Sequence, residues 1–137
     1  MAAKLVQGLL ALDSTFRDVS RFLWPFSLPC LWAAVALVTG LDHLSTFLGL
    51  EVAKEAGLYE ANLPSRVALE LGGFGGLFLW DVAKVSALIG AMALVQRNQT
   101  RSGLPGLGRL LHAAMLQVYV MYALMAVVNN LWLAFGR

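Results

Sequence analysis

The chain has 137 residues, of which 59% are hydrophobic and 13% are charged, and its mean hydropathy is +0.72. Soluble domains carry about 25% charged residues, so this composition excludes an ordinary soluble protein and indicates a membrane protein. The formal net charge of +2 does not indicate a nucleic acid partner, because anchoring at the membrane surface explains where the basic residues lie.

The sequence contains none of the short motifs that mark common enzyme sites. A phosphate-binding loop, the HExxH zinc motif and the CxxC pair are absent, and no serine has the context of a nucleophile elbow. Cys30 is the only cysteine, so no internal disulfide can form. We therefore predict a non-enzymatic protein without catalytic residues, and we expect neither a bound metal nor a cofactor.

The first segment, residues 1–27, is predicted to be an amphipathic helix followed by a turn into the membrane. Its apolar side chains recur at alternating spacings of four and three residues, which is typical of one helix face. This apolar stripe consists of Leu5, Leu9, Leu12, Phe16, Val19 and Leu23. The helix can lie in the membrane interface, with its basic residues toward lipid head groups, or dock the stripe on a partner subunit. The interface is the main interpretation.

Residues 28–137 are predicted to form a membrane domain with three transmembrane helices. A helix needs about 20 mostly apolar residues to cross the hydrocarbon, and segments at about 28–50, 71–95 and 110–135 meet this requirement. Gly72 and Gly76 form a GxxxG pattern, which indicates close packing within the monomer. The predicted fold class is therefore all-α, an integral membrane helical bundle preceded by an amphipathic interfacial helix.

The basic residues are concentrated on one side of the predicted spans. They are Lys4, Arg17 and Arg21 before the first span, and Arg97, Arg101 and Arg109 after the second. The loop between the first two spans is acidic instead, with four glutamates against one lysine and one arginine. By the positive-inside rule, we expect the N-terminus on the cytoplasmic side of the cell membrane and the C-terminus outside.

Ionisable residues occur well inside two of the predicted spans: Asp42 in the first, and Asp81 and Lys84 in the second. Such residues are costly in lipid, so they usually face the bundle interior, pair with each other and serve a function. Asp42 and Thr46 share one helix face, and the flexible stem of Lys84 can reach the depth of both aspartates. We predict a pair between Asp42 and Lys84, with Asp81 as the alternative partner.

This charged cluster has two interpretations. The first is a salt bridge that joins the first two transmembrane helices. The second starts from the excess of two carboxylates over one ammonium group, which in a dry site would leave one aspartate protonated. A group of that kind can relay protons or bind a cation.

The third span carries a group of polar residues. These are Tyr119, Tyr122, Asn129 and Asn130. Their spacing indicates one hydrogen-bonding helix face, which we expect to point into the bundle.

The two histidines, His43 and His112, lie near opposite ends of the membrane. A metal or haem held by both is therefore not expected. Each is predicted to be a hydrogen-bonded interior or interfacial residue. Ligation of a pigment or haem by one histidine together with a neighbouring subunit stays an alternative.

Three stretches, LDHLSTFLGL, GLYEANLPSR and WDVAKVSAL, resemble in this order a family of small bacterial and archaeal integral membrane proteins known only as a domain of unknown function. The matching residues are Asp42 and Thr46 in the first span, Glu60 and Asn62 in the outer loop, and Lys84 in the second span. The likeness covers roughly residues 30–133. Leu63 departs from the family's Glu-x-Asn-Pro pattern. The resemblance implies no activity, but it implies that Glu60 and Asn62 form a polar lid over the bundle.

Two functions agree with these features. The preferred one is an accessory or structural subunit of a larger membrane complex, whose partners are the lipid bilayer and other membrane subunits or further copies of the chain. The alternative is a small oligomeric transporter or a proton- or cation-conducting protein. In that case Asp42, Asp81 and Lys84 would line a polar path, and several copies would be needed because three helices cannot enclose a wide pore.

Overall fold

The computed structural model describes residues 2–52 and 63–135. Within these ranges the chain is helical and contains no strand. The four helices are α1 (Ala2–Leu23), α2 (Leu28–Val52), α3 (Leu63–Ser102) and α4 (Pro105–Phe135). This confirms the predicted all-α class, with an N-terminal helix followed by three long apolar helices.

Helices α2, α3 and α4 are each long and apolar enough to cross a membrane. Their candidate spans are Leu28–Leu50, Leu63–Gln99 and Pro105–Phe135. The first agrees with the predicted bounds, whereas the second and third begin several residues earlier than predicted. Pro64 lies in the first turn of α3 and Pro105 begins α4. Proline suits these positions because the N–H groups of the first turn have no partner within the helix, so the missing N–H of proline breaks no hydrogen bond.

The connection between α3 and α4 is much shorter than the gap of residues 96–109 between the second and third predicted spans. Gly103 has a φ angle of 75°, and the N–H of Leu104 donates to the carbonyl of Gln99 at 3.2 Å. This is the hydrogen bond of a Schellman cap, which ends a helix with a left-handed residue, usually glycine. Arg97 and Arg101 therefore belong to the end of α3 rather than to a loop.

Helix α3 contains a kink at Gly73. Its φ of 59° and ψ of −152° fall in a region that only glycine readily adopts. Beyond the kink the backbone of Gly76 lies so close to the carbonyl of Ala68 that no Cβ would fit there. Only Gly76 of the GxxxG pattern makes such a contact, and it lies within α3 itself, whereas a Cβ at Gly72 would meet nothing within 4 Å.

The described residues group into two compact units. Unit 1 combines Met1–Ala33 with Leu88–Val118, and unit 2 combines Ala34–Ala87 with Tyr119–Arg137. Each unit thus takes parts of α2, α3 and α4. This grouping does not coincide with the division at residue 27, which stays a prediction.

Each unit has its own small apolar core. The buried apolar side chains of unit 1 include Leu31, Met92, Ala113 and Leu116, and those of unit 2 include Val35, Val38, Leu77, Ala123 and Val127. In both units α2, α3 and α4 all contribute. Burying such side chains stabilises a soluble protein by about 1.5–3 kcal/mol each, but in lipid the gain comes from packing, which favours small and well-fitting residues.

Helix α1 packs in unit 1 through a polar face. Asp13 and Ser20 are buried, and the Asp13 carboxylate accepts a hydrogen bond from the N–H of Gly106 at 2.5 Å, in the first turn of α4. Arg17 binds the other carboxylate oxygen. Much of the apolar stripe is exposed by contrast, with Leu5 at 69%. The predicted amphipathic helix is confirmed, and its position in the membrane interface stays a prediction.

Candidate functional site

Two ionisable residues of unit 2, His43 and Lys84, contact the carboxylate of Asp81. Its Oδ1 lies 2.6 Å from the Nζ of Lys84, and the Asp81 side chain is only 8% exposed. The two residues are three positions apart on α3, a spacing at which helical side chains are neighbours. Lys84 is thus paired with Asp81, which was the alternative partner in the sequence analysis, and the electrostatic attraction of Asp42 adds to this pair.

Helix α2 contributes His43 to the same carboxylate. The His43 Nδ1 lies 3.2 Å from Asp81 Oδ2, and the imidazole ring packs edge-on against Phe78 with ring centroids 5.9 Å apart. His43, the neighbour of Asp42 in the sequence, therefore makes the described contact between α2 and the Asp81 carboxylate. We call His43, Asp81 and Lys84 the polar cluster.

The sequence predicted a hydrogen-bonded interior or interfacial histidine at position 43 but not its partner, although the pattern contains a signal for that partner. Thr39, His43 and Thr46 are spaced at four and three residues on α2, which places them on one helix face. A histidine in the middle of such a face is a natural partner for an acid on the neighbouring helix.

A hydrogen bond between Thr39 and Tyr119 forms the first connection between α2 and α4 in unit 2. Thr39 Oγ1 donates to the carbonyl of Val35 at 2.7 Å and lies 3.0 Å from the Tyr119 hydroxyl oxygen. Because the threonine hydroxyl has a single hydrogen, Tyr119 is the donor in the second bond. The bond between Thr39 and Tyr119 holds α4 beside the face of α2 that carries His43.

Asn130 forms the second connection between α4 and α2. Its Nδ2 donates to Ser45 Oγ at 3.2 Å and to Thr46 Oγ1 at 3.0 Å. Both hydroxyls are buried. Thr46 was predicted to belong to the charged cluster, and the structure shows it in this hydrogen-bonded group with Asn130.

The predicted polar face of the third span is divided between two sides of α4. Tyr119 and Asn130 point inward as expected, whereas Tyr122 is 61% exposed and Asn129 is also exposed. The expectation of an inward orientation is wrong for these last two residues. Successive helical residues are rotated by about 100°, so Tyr122 and Asn129 share a face with each other rather than with Tyr119 and Asn130.

The predicted outer lid cannot be compared with the structure. Glu60 and Asn62 lie outside the described residues. The lid therefore stays a prediction.

The second histidine belongs to unit 1. His112 is 8% exposed, and its Nε2 accepts a hydrogen bond from Trp32 Nε1 at 3.1 Å. Among the described residues, no group of three histidine, cysteine or acidic side chains is placed to hold a metal ion.

The polar cluster can act in two ways. The hydrogen bond between His43 and the Asp81 carboxylate connects α2 to α3, and hydrogen bonds to a charged group are about twice as strong as neutral ones; the pair with Lys84 lies within α3. Histidine is also the side chain whose ordinary pKa lies closest to physiological pH. The contact between His43 and Asp81 therefore also suits proton exchange.

Comparison with known proteins leaves the family of the chain open. No family model matches the sequence. No curated protein and no solved structure matches it either. The resemblance to the family of unknown function stays a prediction based on the three stretches quoted above.

Proposed function

We propose that the protein is a non-enzymatic accessory or structural subunit of a larger membrane assembly. The observation that carries this proposal is the position of Asn129. Its side chain is exposed inside a candidate span, and it has no hydrogen-bond partner in the part of the chain that the structure describes. An amide facing lipid is costly, whereas an amide facing a neighbouring helix can bond across the interface.

Asn129 is part of an exposed face of α4. This outer face of α4 contains Tyr122, Met125, Asn129 and Trp132, at spacings of three and four residues. Met125 and Trp132 are each 70% exposed. A helix face that combines aromatic, methionine and amide side chains fits a protein partner better than pure hydrocarbon, because the amide requires a hydrogen-bonding group opposite it.

The limited internal burial of the spans agrees with this proposal. Only 22%, 11% and 28% of the residues in the most apolar stretches of α2, α3 and α4 are buried. Much surface is thus available for contact with other subunits. In the proposed orientation the N-terminus lies in the cytoplasm and the apolar stripe of α1 lies in the membrane interface.

The test is the retention of partner subunits during purification in mild detergent. Interhelical hydrogen bonds in membranes contribute about 0.6–2 kcal/mol, so Asn129→Leu should weaken the association by about 3- to 30-fold. Asn129→Gln keeps the amide and should retain the partner. Native mass spectrometry and cross-linking from position 129 would measure both.

The matched control is Val128→Leu, because Val128 is 66% exposed but is rotated away from the outer face of α4. This variant should behave like the wild type. A homogeneous monomer, or equal retention by all three variants, would contradict the proposal. An assembly made only of copies of this chain would favour the alternative function below.

The contact between His43 and Asp81 supports a second function, conduction of protons or cations by a homo-oligomer. In this proposal His43 and Asp81 exchange a proton within the polar cluster, and Lys84 holds the carboxylate in place. His43→Gln preserves hydrogen bonding but carries no proton, so it should abolish proton flux into reconstituted liposomes. Arg66→Gln, a change of an ionisable residue outside the cluster, should leave the flux intact. Wild-type flux no greater than that of empty vesicles removes this function.

A further inference from the structure

Unit 1 contains a small cavity between the end of α3 and the beginning of α4. Its volume is about 210 Å³, and its lining includes Gln96, Gln99, Gly108, Arg109 and His112. Pockets for drug-sized ligands measure about 300–1,000 Å³, so this cavity suits a smaller group. Most of its named lining residues carry hydrogen-bond donors, which distinguishes it from a gap between apolar helices.

Arg109 supplies a positive charge to the cavity. The residue is half-buried, and no acidic partner of its guanidinium is found in the part of the chain that the structure describes. Arg17 and Lys84, by contrast, are paired with Asp13 and Asp81. No carboxylate is among the lining residues. A partly buried guanidinium without a counter-charge favours an anion, and its planar fork matches phosphate oxygens in a bidentate arrangement.

His112 supplies a second donor. Because its Nε2 accepts the hydrogen bond from Trp32, the proton of the neutral ring is on Nδ1. No acceptor for this N–H is found among the described residues. The edge-on packing of the Trp32 and His112 rings, with centroids 5.7 Å apart, fixes the orientation of the imidazole. The cavity thus has a rigid neutral donor beside a cationic one.

The N-terminus of α4 is not itself the anion site. The Asp13 carboxylate already occupies the N–H of Gly106, and Arg17 offsets its charge. The cavity begins further along the helix, where Gly108 lies so near Gln99 that a Cβ at position 108 would come within 2.9 Å of the Gln99 Cβ. This close packing holds the wall of the cavity in place.

We propose that the cavity of Arg109 and His112 binds the phosphate group of an anionic ligand, either a phospholipid headgroup or a free phosphate compound. Arg109 bonds two phosphate oxygens, and His112 donates to a third. The cavity belongs to unit 1, so this proposal is independent of the function assigned to the outer face of α4.

The test measures how phosphate-bearing probes change the melting temperature of the full-length protein in mild detergent. Inorganic phosphate and phosphatidylglycerol are titrated separately, with diacylglycerol as a lipid that lacks phosphate. A ligand that binds only the folded protein raises the melting temperature with its concentration. Stabilisation by both phosphate probes identifies the phosphate group as sufficient, and stabilisation by phosphatidylglycerol alone identifies a lipid headgroup.

Arg109→Gln should weaken the binding of the effective probe by about tenfold or more, as expected for the loss of hydrogen bonds to a charged group. Arg101→Gln removes the same charge from an exposed residue outside the cavity and should bind like the wild type. Arg109→Lys keeps the positive charge but lacks the planar guanidinium, so it should bind the probe less tightly than the wild type. It serves as the test variant if Arg109→Gln does not fold. Equal effects at positions 101 and 109, or no stabilisation of the wild type by either phosphate probe, would overturn the proposal.

Discussion

Lys84→Met should lower the free energy of unfolding in detergent by about 3–5 kcal/mol, because it leaves the buried carboxylate of Asp81 without its ammonium partner. Asp81→Leu should have a similar effect, since it strands the ammonium of Lys84 and leaves His43 without an acceptor. The double variant replaces both charges by apolar groups and should recover much of the loss. A double-mutant cycle on thermal or chemical unfolding in detergent measures the coupling energy.

A second pair on α3 provides the control for this cycle. Arg66 and Glu70 are four residues apart, but their closest charged atoms are 3.9 Å apart and their side chains are 39% and 68% exposed. Exposed pairs of this kind contribute about 0–1 kcal/mol. The coupling between Arg66 and Glu70 should therefore be small, and a coupling as large as that of Asp81 with Lys84 would contradict the burial argument.

The same cycle with Asp42 in place of Asp81 compares the two candidate partners of Lys84. Asp42 attracts the ammonium, so some coupling is expected. The direct contact at 2.6 Å is with Asp81, and the Asp81 cycle should give the larger value. A larger coupling with Asp42 would restore the pairing predicted from the sequence.

Gly73→Ala and Gly76→Ala should each destabilise the protein by about 1–3 kcal/mol, for different reasons. At Gly73 the φ of 59° strains any residue that has a Cβ. At Gly76 the backbone angle is ordinary, but a Cβ would collide with the carbonyl of Ala68. Both changes should open the kink of α3, which unfolding in detergent and limited proteolysis near the kink would detect.

Gly75→Ala is the matched control because it lies between these two positions. No atom lies within 4 Å of the place its Cβ would occupy, and its φ is not positive. Alanine is the better helix former by about 1 kcal/mol, so this variant should be neutral or slightly stabilised. A loss of stability at Gly75 equal to that at Gly73 would show that the effect does not arise from the kink.

The amino-acid sequence alone determined the class of the protein and its helices. Runs of about 20 apolar residues are long enough to cross lipid only as helices, so three spans followed from composition and length. The amphipathic period of residues 2–24 likewise predicted α1. The candidate spans of α3 and α4 begin before the predicted spans at residues 71 and 110, because the proline, glycine and charged residues near the starts of these helices lower the local hydropathy.

The contacts between residues were decided only by the tertiary structure. Helical periodicity places Thr39, His43 and Thr46 on one face of α2, but it does not state which residue of α3 or α4 stands opposite. Asp42 and its neighbour His43 lie about 100° apart around α2, so periodicity alone did not show that His43 would make the described contact with Asp81. For the same reason the sequence did not show which side of α4 faces the bundle. It could not tell that Asn130 points inward and Asn129 outward.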